Sequence, residues 1–205
     1  MKKRTTMLAL LLATGAGTCL QAQEKLTQFK VRDAITVRTP IMNDSINPKG
    51  EKYADKDLLK TPVVLDLADA PFQVLSTDTA GVLSFPKAEK DHSIYLLETS
   101  LRAERFMTGK LKVTSPARWE IFINGESKMS KENAEDSISG ASTREVNLRL
   151  EPEADYEITI KLLSGSKDKA VPTLKCELIK DDKFKDITCF VSPEQKKRFA
   201  LPNTV

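Results

Sequence analysis

Glu145-Val146-Asn147-Leu148-Arg149-Leu150 and, after a loop over residues 151–155, Tyr156-Glu157-Ile158-Thr159-Ile160-Lys161-Leu162 alternate apolar and polar side chains without a break. A period of two places Val146, Leu148 and Leu150 on one face of a strand, and Tyr156, Ile158, Ile160 and Leu162 on one face of the next. Pairing Leu150 with Tyr156 keeps apolar opposite apolar, so the segment predicts a β-hairpin with one face buried and the other wet. A second hairpin is predicted from residues 110–113 and 119–123, with Val113 opposite Trp119 and with Leu111, Val113, Trp119 and Ile121 on one side. Asn124-Gly125 then supplies the dipeptide most favoured in a tight primed turn before a polar strand over residues 126–130.

Short alternating runs of the same kind recur at residues 29–37, 63–67, 72–75, 81–85 and 93–99, separated by turn residues. Amphipathic helical periods are almost absent. The expectation is an all-β protein: an antiparallel, jelly-roll-like β-sandwich with a short C-terminal helix. That helix is expected from Ser192-Pro193-Glu194-Gln195, where a cap is followed by Pro at the first helical position and Gln three residues after the cap. A helical turn is also expected at residues 55–59, within a polar surface crossing, and another at residues 131–136. The predicted organisation is a leader over 1–22, an N-terminal strand and polar crossing over 23–62, the sandwich over 63–191, and a helix with linker over 192–205.

The leader reading rests on Lys2-Lys3-Arg4, the apolar run at residues 7–13 and Leu20-Gln21-Ala22 before Gln23, the three regions of a secretory signal peptide. Export to the periplasm or cell surface follows as an expectation. Cys19 would permit lipidation, but Thr18 precedes it rather than Gly, Ala or Ser, so cleavage after Ala22 is expected instead. The apolar run is too short to span a bilayer, and no transmembrane segment is expected elsewhere.

The chain of 205 residues carries 32 Lys and Arg against 29 Asp and Glu. The leader's three basic residues account for the whole surplus, leaving 29 of each sign beyond residue 22. Without a basic patch there is no electrostatic footprint for phosphate, so nucleic acid is not an expected partner.

A search for reactive groups returns little. His92 is the single histidine, so any Ser/His/Asp or Cys/His set would have to use it. Flanked by Asp91 and Ser93 at a strand edge, it reads as a surface residue. Ser164 with Lys167 and Ser166 with Lys169 have Ser-x-x-Lys spacing, but in a turn of a lysine-rich chain. Asn43, Asp44, Ser45 and Asn47 cluster oxygen donors without the alternating acids of a calcium loop, and Asp181 and Asp182 read as turn residues. No catalytic residue, metal or cofactor is therefore expected. Cys176 and Cys189 fall in two alternating runs, and a hairpin pairing Leu178 with Ile187 would set them opposite each other. A cross-strand disulfide and two buried free thiols both remain open. Of Trp119, Tyr53, Tyr95 and Tyr156, both Trp119 and Tyr156 fall in the core phase. Phe122 points the other way, towards a second buried layer or a docking surface.

Trp119-Glu120-Ile121-Phe122-Ile123-Asn124-Gly125, with the two runs that open this section, resembles jelly-roll accessory domains of the anthrax protective-antigen type and those attached to secreted glycosidases and peptidases. The likeness covers roughly residues 92–180. Residues 192–205, with Lys196-Lys197-Arg198-Phe199 before Leu201-Pro202-Asn203-Thr204-Val205, resemble the linker before the β-propeller of exported prolyl oligopeptidase and dipeptidyl peptidase IV-type serine peptidases. That resemblance implies a non-catalytic N-terminal domain docked to a downstream propeller and hydrolase through Phe122, Phe190 and Phe199. The alternative expectation is an independent module that binds a glycan or another extracellular ligand.

Overall fold

The computed structural model describes residues 23–32, 35–37, 46, 49–51, 54–60, 72–180 and 187–190. In chain order these form β1 (Gln23–Lys25), β2 (Gln28–Arg32), β3 (Ile35–Val37), α1 (Asp55–Lys60), β4 (Phe72–Ser76), β5 (Val82–Ser84) and β6 (His92–Ala103). They continue with β7 (Met107–Thr114), β8 (Arg118–Ile123), β9 (Glu126–Lys131), β10 (Thr143–Leu150), β11 (Asp155–Gly165), β12 (Thr173–Lys180) and β13 (Ile187–Phe190). Two antiparallel sheets face each other, one of five strands along β1-β12-β7-β10 with β5 added to β12, the other of eight along β4-β2-β6-β11-β8-β9. The twelve-residue β6 is the spine of the larger sheet. Its one edge pairs β11 throughout, and its other edge takes β13, β2 and β3 in succession. The fold is an all-β sandwich, as the alternation predicts.

The inward faces are those read from the sequence. Val146, Leu148 and Leu150 from the small sheet meet Trp119, Ile121, Ile158, Ile160 and Leu162 from the large one in a single dry core. Leu111 and Val113 join them, and Tyr156 packs at the margin. The pairings, however, differ from those expected. β10 pairs β7 in the small sheet, while β11 pairs β6 and β8 in the large one. Likewise β7 pairs β10 and β12, whereas β8 pairs β11 and β9. Both predicted hairpins are therefore arches that carry the chain from one sheet to the other. An arch and a hairpin both turn the same alternate residues inward, so alternation identifies the face without the partner.

The third predicted hairpin fails for the same reason. β12 has both edges taken, by β7 on one side and by β1 and β5 on the other. β13 lies instead against β6 in the opposite sheet. Asn124-Gly125 does form the expected tight turn: φ is 51° at Asn124 and 78° at Gly125, with Ile123 paired to Glu126. The turn at residues 55–59 is the helix α1, whereas residues 132–136 contain no helix. The predicted leader, the strand at 63–67 and the C-terminal helix lie outside the described residues.

The outer face of the large sheet is not uniformly wet. Leu58 and Leu59 of α1 pack on Ile94, Leu96, Phe122 and Leu163, a second small core on the far side of the sheet. Thr159 and Lys161, expected to face water, are also buried there. β11 runs between β6 and β8, so its outward side chains have neighbours on both sides as well as above.

Candidate functional site

The inner face of the β4–β2 edge is incompletely covered by the small sheet. Val31 pairs with Leu97 on one side and Gln73 on the other, so all three face inward, yet Gln73 is exposed and Leu75 half-buried. With β5 and the loop leading to β6 as the opposite wall, this leaves a cleft of about 630 Å³. Its floor is apolar, made by Val31, Leu75, Phe85 and Tyr95. The rim is polar: Gln73 and Arg32 from the sheet edge, Ser84 and Ser93, and the charged run Lys87, Glu89, Lys90 and Asp91.

Two contacts give the floor its shape. The Phe85 and Tyr95 rings lie 4.8 Å apart, centroid to centroid, and tilted by 33°, a spacing at which aromatic pairs attract. Tyr95 donates its hydroxyl to the Pro86 carbonyl at 2.7 Å, which pins the loop to the floor. Burial raises the Tyr95 phenol above its ordinary range, so it stays protonated and a donor. On the far wall Lys87 donates to the Lys169 carbonyl at 2.9 Å.

His92 sits between two rim residues but faces the other way. Its Nε2 lies 3.1 Å from Asp55 at the start of α1. Asp55 is also bridged by Arg118, which binds both oxygens of Asp168 at 2.9 Å. Asp168 in turn accepts the Gly165 amide at 2.7 Å. A Cβ at Gly165 would meet the His92 ring at 3.2 Å, so a larger residue there would have to displace the ring by a few tenths of an ångström. The surface position expected for His92 is thus corrected: it is largely buried in an ion-pair chain that clamps α1 to the sheet. Its neighbours in that chain are carboxylates and a guanidinium, which orient α1.

Other buried charges are also tied to structure. Lys131 donates to the carbonyls of Ser115 and Ala117 and to Glu135, at 2.6, 3.3 and 2.7 Å. This holds the excursion over residues 132–142 against the β7–β8 arch. Burial lowers the Lys131 ammonium, with Glu135 opposing the shift. Lys161, flanked by the carboxylate of Glu120, is pushed down to about 8 by burial.

The remaining predicted residues are placed as follows. Phe122 is 2% exposed beneath α1 and belongs to a second buried layer, one of the two roles expected of it. Cys176 is a buried free thiol on the core face of β12, its pKa raised by burial. Cys189 belongs to the opposite sheet, so the hairpin that would have set the two opposite each other does not form. Phe190 closes β13, and its side chain, with Phe199, Tyr53, Asn43, Asp44, Ser45, Asn47, Asp181 and Asp182, lies outside the described residues. Trp119 is fully buried. Ser164 is buried, whereas Ser166, Lys167 and Lys169 are exposed around the turn after β11. The cleft residues Gln73, Ser84 and Asp91 carried no motif. A search for exposed aromatics passes over a site whose aromatics form the floor. Among the described residues one aromatic is exposed, away from the cleft: Phe106, with the Arg149 guanidinium 5.1 Å from its ring centroid.

No protein-family model matches the chain, and no curated protein does. Among solved structures, it is similar to a β-glucosidase from Kluyveromyces marxianus in complex with glucose, at 12% identity and a TM-score of 0.42 over 77% of this chain. The chain spans 16% of that enzyme's length. It is also similar to a PA14 sugar-binding domain from an RTX adhesin, at 10% identity and a TM-score of 0.38, covering 81% of this chain and 96% of that one. A family 35 carbohydrate-binding module from an environmental isolate has 14% identity and a TM-score of 0.35, over 54% of this chain and 79% of that one. No helix among the described residues is long and apolar enough to cross a membrane.

Proposed function

We propose that this chain is an exported, non-catalytic β-sandwich module that binds a glycan in the cleft between the β4–β2 edge and the loop before β6. The observation that supports this reading is the make-up of the cleft, with an apolar floor of Val31, Leu75, Phe85 and Tyr95 beneath a rim of amide, hydroxyl, carboxylate, ammonium and guanidinium groups. A pyranose presents the complementary surface, a C–H face that packs on apolar side chains and a ring of hydroxyls that seek donors and acceptors. Export is the part of the proposal carried by residues 1–22.

The other expectation, a domain docked to a downstream propeller and serine-peptidase domain, relied on an apolar face around Phe122, Phe190 and Phe199. α1 covers the one member of that face whose side chain is described, which favours the binding reading.

The test uses the chain from Gln23 to Val205 on a glycan array, with hits titrated by NMR. The expected result is saturable binding with amide shift changes concentrated at residues 73–75 and 84–95. Absence of binding across the array, or changes centred on Phe106 and Arg149 instead, would refute the proposal.

A further inference from the structure

Three non-glycine residues among those described have positive φ: Asp91 at 52°, Asn124 at 51° and Glu153 at 56°. Each bears the steric cost of bringing Cβ against its own backbone, a cost lower for Asp and Asn than for most residues. Two have a use within the fold. Asn124 opens the β8–β9 turn, and its Oδ1 accepts the Glu157 amide at 2.8 Å. Glu153 donates its own amide to the Ala103 carbonyl at 2.8 Å, which closes the β10–β11 arch. At Asp91 the backbone is anchored, its carbonyl accepting the Ser166 amide at 2.8 Å. Its carboxylate, though, makes no hydrogen bond or ion pair among the described residues, and it lies on the cleft rim.

The segment that presents this carboxylate is held on both sides. His92, the next residue, is tied to Asp55 on the outer face and lies beside Gly165, and Ser93 is buried on the inner face. A backbone held in a sparsely populated conformation at a cleft, by contacts on both sides, fixes the point from which its exposed side chain projects, and such positions cluster at ligand sites. Preorganisation of this kind lowers the entropy lost when a ligand is captured.

We propose, resting on the binding reading above, that Asp91 is the principal ligand-contacting residue of the cleft, its two carboxylate oxygens accepting the hydroxyls of a vicinal diol on a sugar. A carboxylate with both oxygens uncommitted accepts two such donors at once, and hydrogen bonds to an ionised acceptor are stronger than neutral ones.

The experiment measures the affinity of the chain 23–205 for methyl glucoside, galactoside, mannoside, xyloside and methyl glucuronide, alongside the melting temperatures of Asp91→Asn, Asp91→Gly and Asp91→Ala. At least one glycoside binds the unaltered chain, and Asp91→Asn loses about 10- to 100-fold in affinity, the span expected for a hydrogen bond to a charged group. Asp91→Gly melts no lower than the unaltered chain but binds as poorly as Asp91→Asn, while Asp91→Ala melts lower, because alanine resists positive φ more than aspartate does. Binding by Asp91→Asn within about twofold of the unaltered chain would overturn the role of Asp91 and leave the cleft as a binding site. Failure of every glycoside with the unaltered chain would overturn both readings. If Asp91→Ala melts with the unaltered chain, the strain argument is wrong.

Discussion

Replacing Phe122 by alanine separates two readings of one side chain. If Phe122 belongs to a second core beneath α1, the substitution removes a ring that is 2% exposed and packed with Leu58, Leu59, Ile94, Leu96 and Leu163. A buried phenylalanine removes roughly 150–250 Å² from water, and Phe→Ala in a packed site costs about 3–5 kcal/mol including the cavity left behind. For a domain of this size each kcal/mol lowers the melting temperature by about 2–4 °C, so a loss of roughly 6–20 °C is expected. Guanidinium unfolding provides the assay, followed by far-UV circular dichroism and by the emission of Trp119, the single tryptophan, which is buried in the main core. Phe122→Leu should cost much less, because most of the apolar volume remains. Leu59→Ala should be less damaging in the Phe122→Ala background than alone, since the two share one cavity. A Phe122→Ala change of less than about 0.5 kcal/mol, the range usual for exposed positions, would mean that α1 does not cover this face and would return Phe122 to the role of a docking residue.

Two further predictions concern single contacts. Burial alone would raise the carboxyl of Glu135, but hydrogen bonds from Lys131 and Ser142 outweigh it and hold the group below the ordinary range. Its stabilising contribution is therefore complete above the unfolded value of about 4.3 and is lost as pH falls through the depressed folded value. Glu135→Gln should flatten this acid limb of a stability–pH profile, and an unchanged slope would show that Lys131 and Glu135 do not pair in solution. Gly109→Ala should destabilise by about 1–3 kcal/mol, because its Cβ would lie 2.8 Å from the Ile179 carbonyl, a backbone atom that cannot swing aside. Gly140→Ala, which meets only the Ser137 hydroxyl at 3.0 Å, is the control and should be nearly silent in the same denaturant titration.

How far the fold was legible depends on which relation is asked for. The face that each residue occupies follows from local chemistry. Val146, Leu148 and Leu150, or Trp119 and Ile121, need only alternate in order to point inward. The Asn124-Gly125 turn is equally local, because its φ values are open to few other dipeptides. Which strand pairs with which is not local. The links over residues 115–117 and 151–154 change sheets, and they contain the same Ser, Pro and acidic residues that a hairpin loop would. The helical turn at residues 55–59 was visible as well, but its target was not, since Leu58 and Leu59 seat on Ile94, Leu96, Phe122 and Leu163 from three separate strands. Phe122, like Ile94, Leu96 and Leu163, is apolar but off the inward phase, a local sign that the outer face carries a second layer.

The cleft is less legible still, for a reason rooted in topology. Its residues come from β2, β4, β5, the loop between β5 and β6, and the start of β6, and none forms a motif with its sequence neighbours. What creates it is the unequal width of the two sheets. The eight-stranded layer extends as far as β4, and the side chains there that alternation turns inward, Gln73 and Leu75, find too little of the five-stranded layer opposite to be sealed. The same inward phase that yields a dry core at Ile160 therefore yields a solvent-facing hollow at Gln73. A core position and a binding position can share one sequence pattern and differ only in whether a facing strand arrives. Asp91 sharpens the point. In sequence it reads as an ordinary turn acid before a strand, and only its φ of 52° together with an uncommitted carboxylate at the rim distinguishes it from the acids whose place is explained by folding alone.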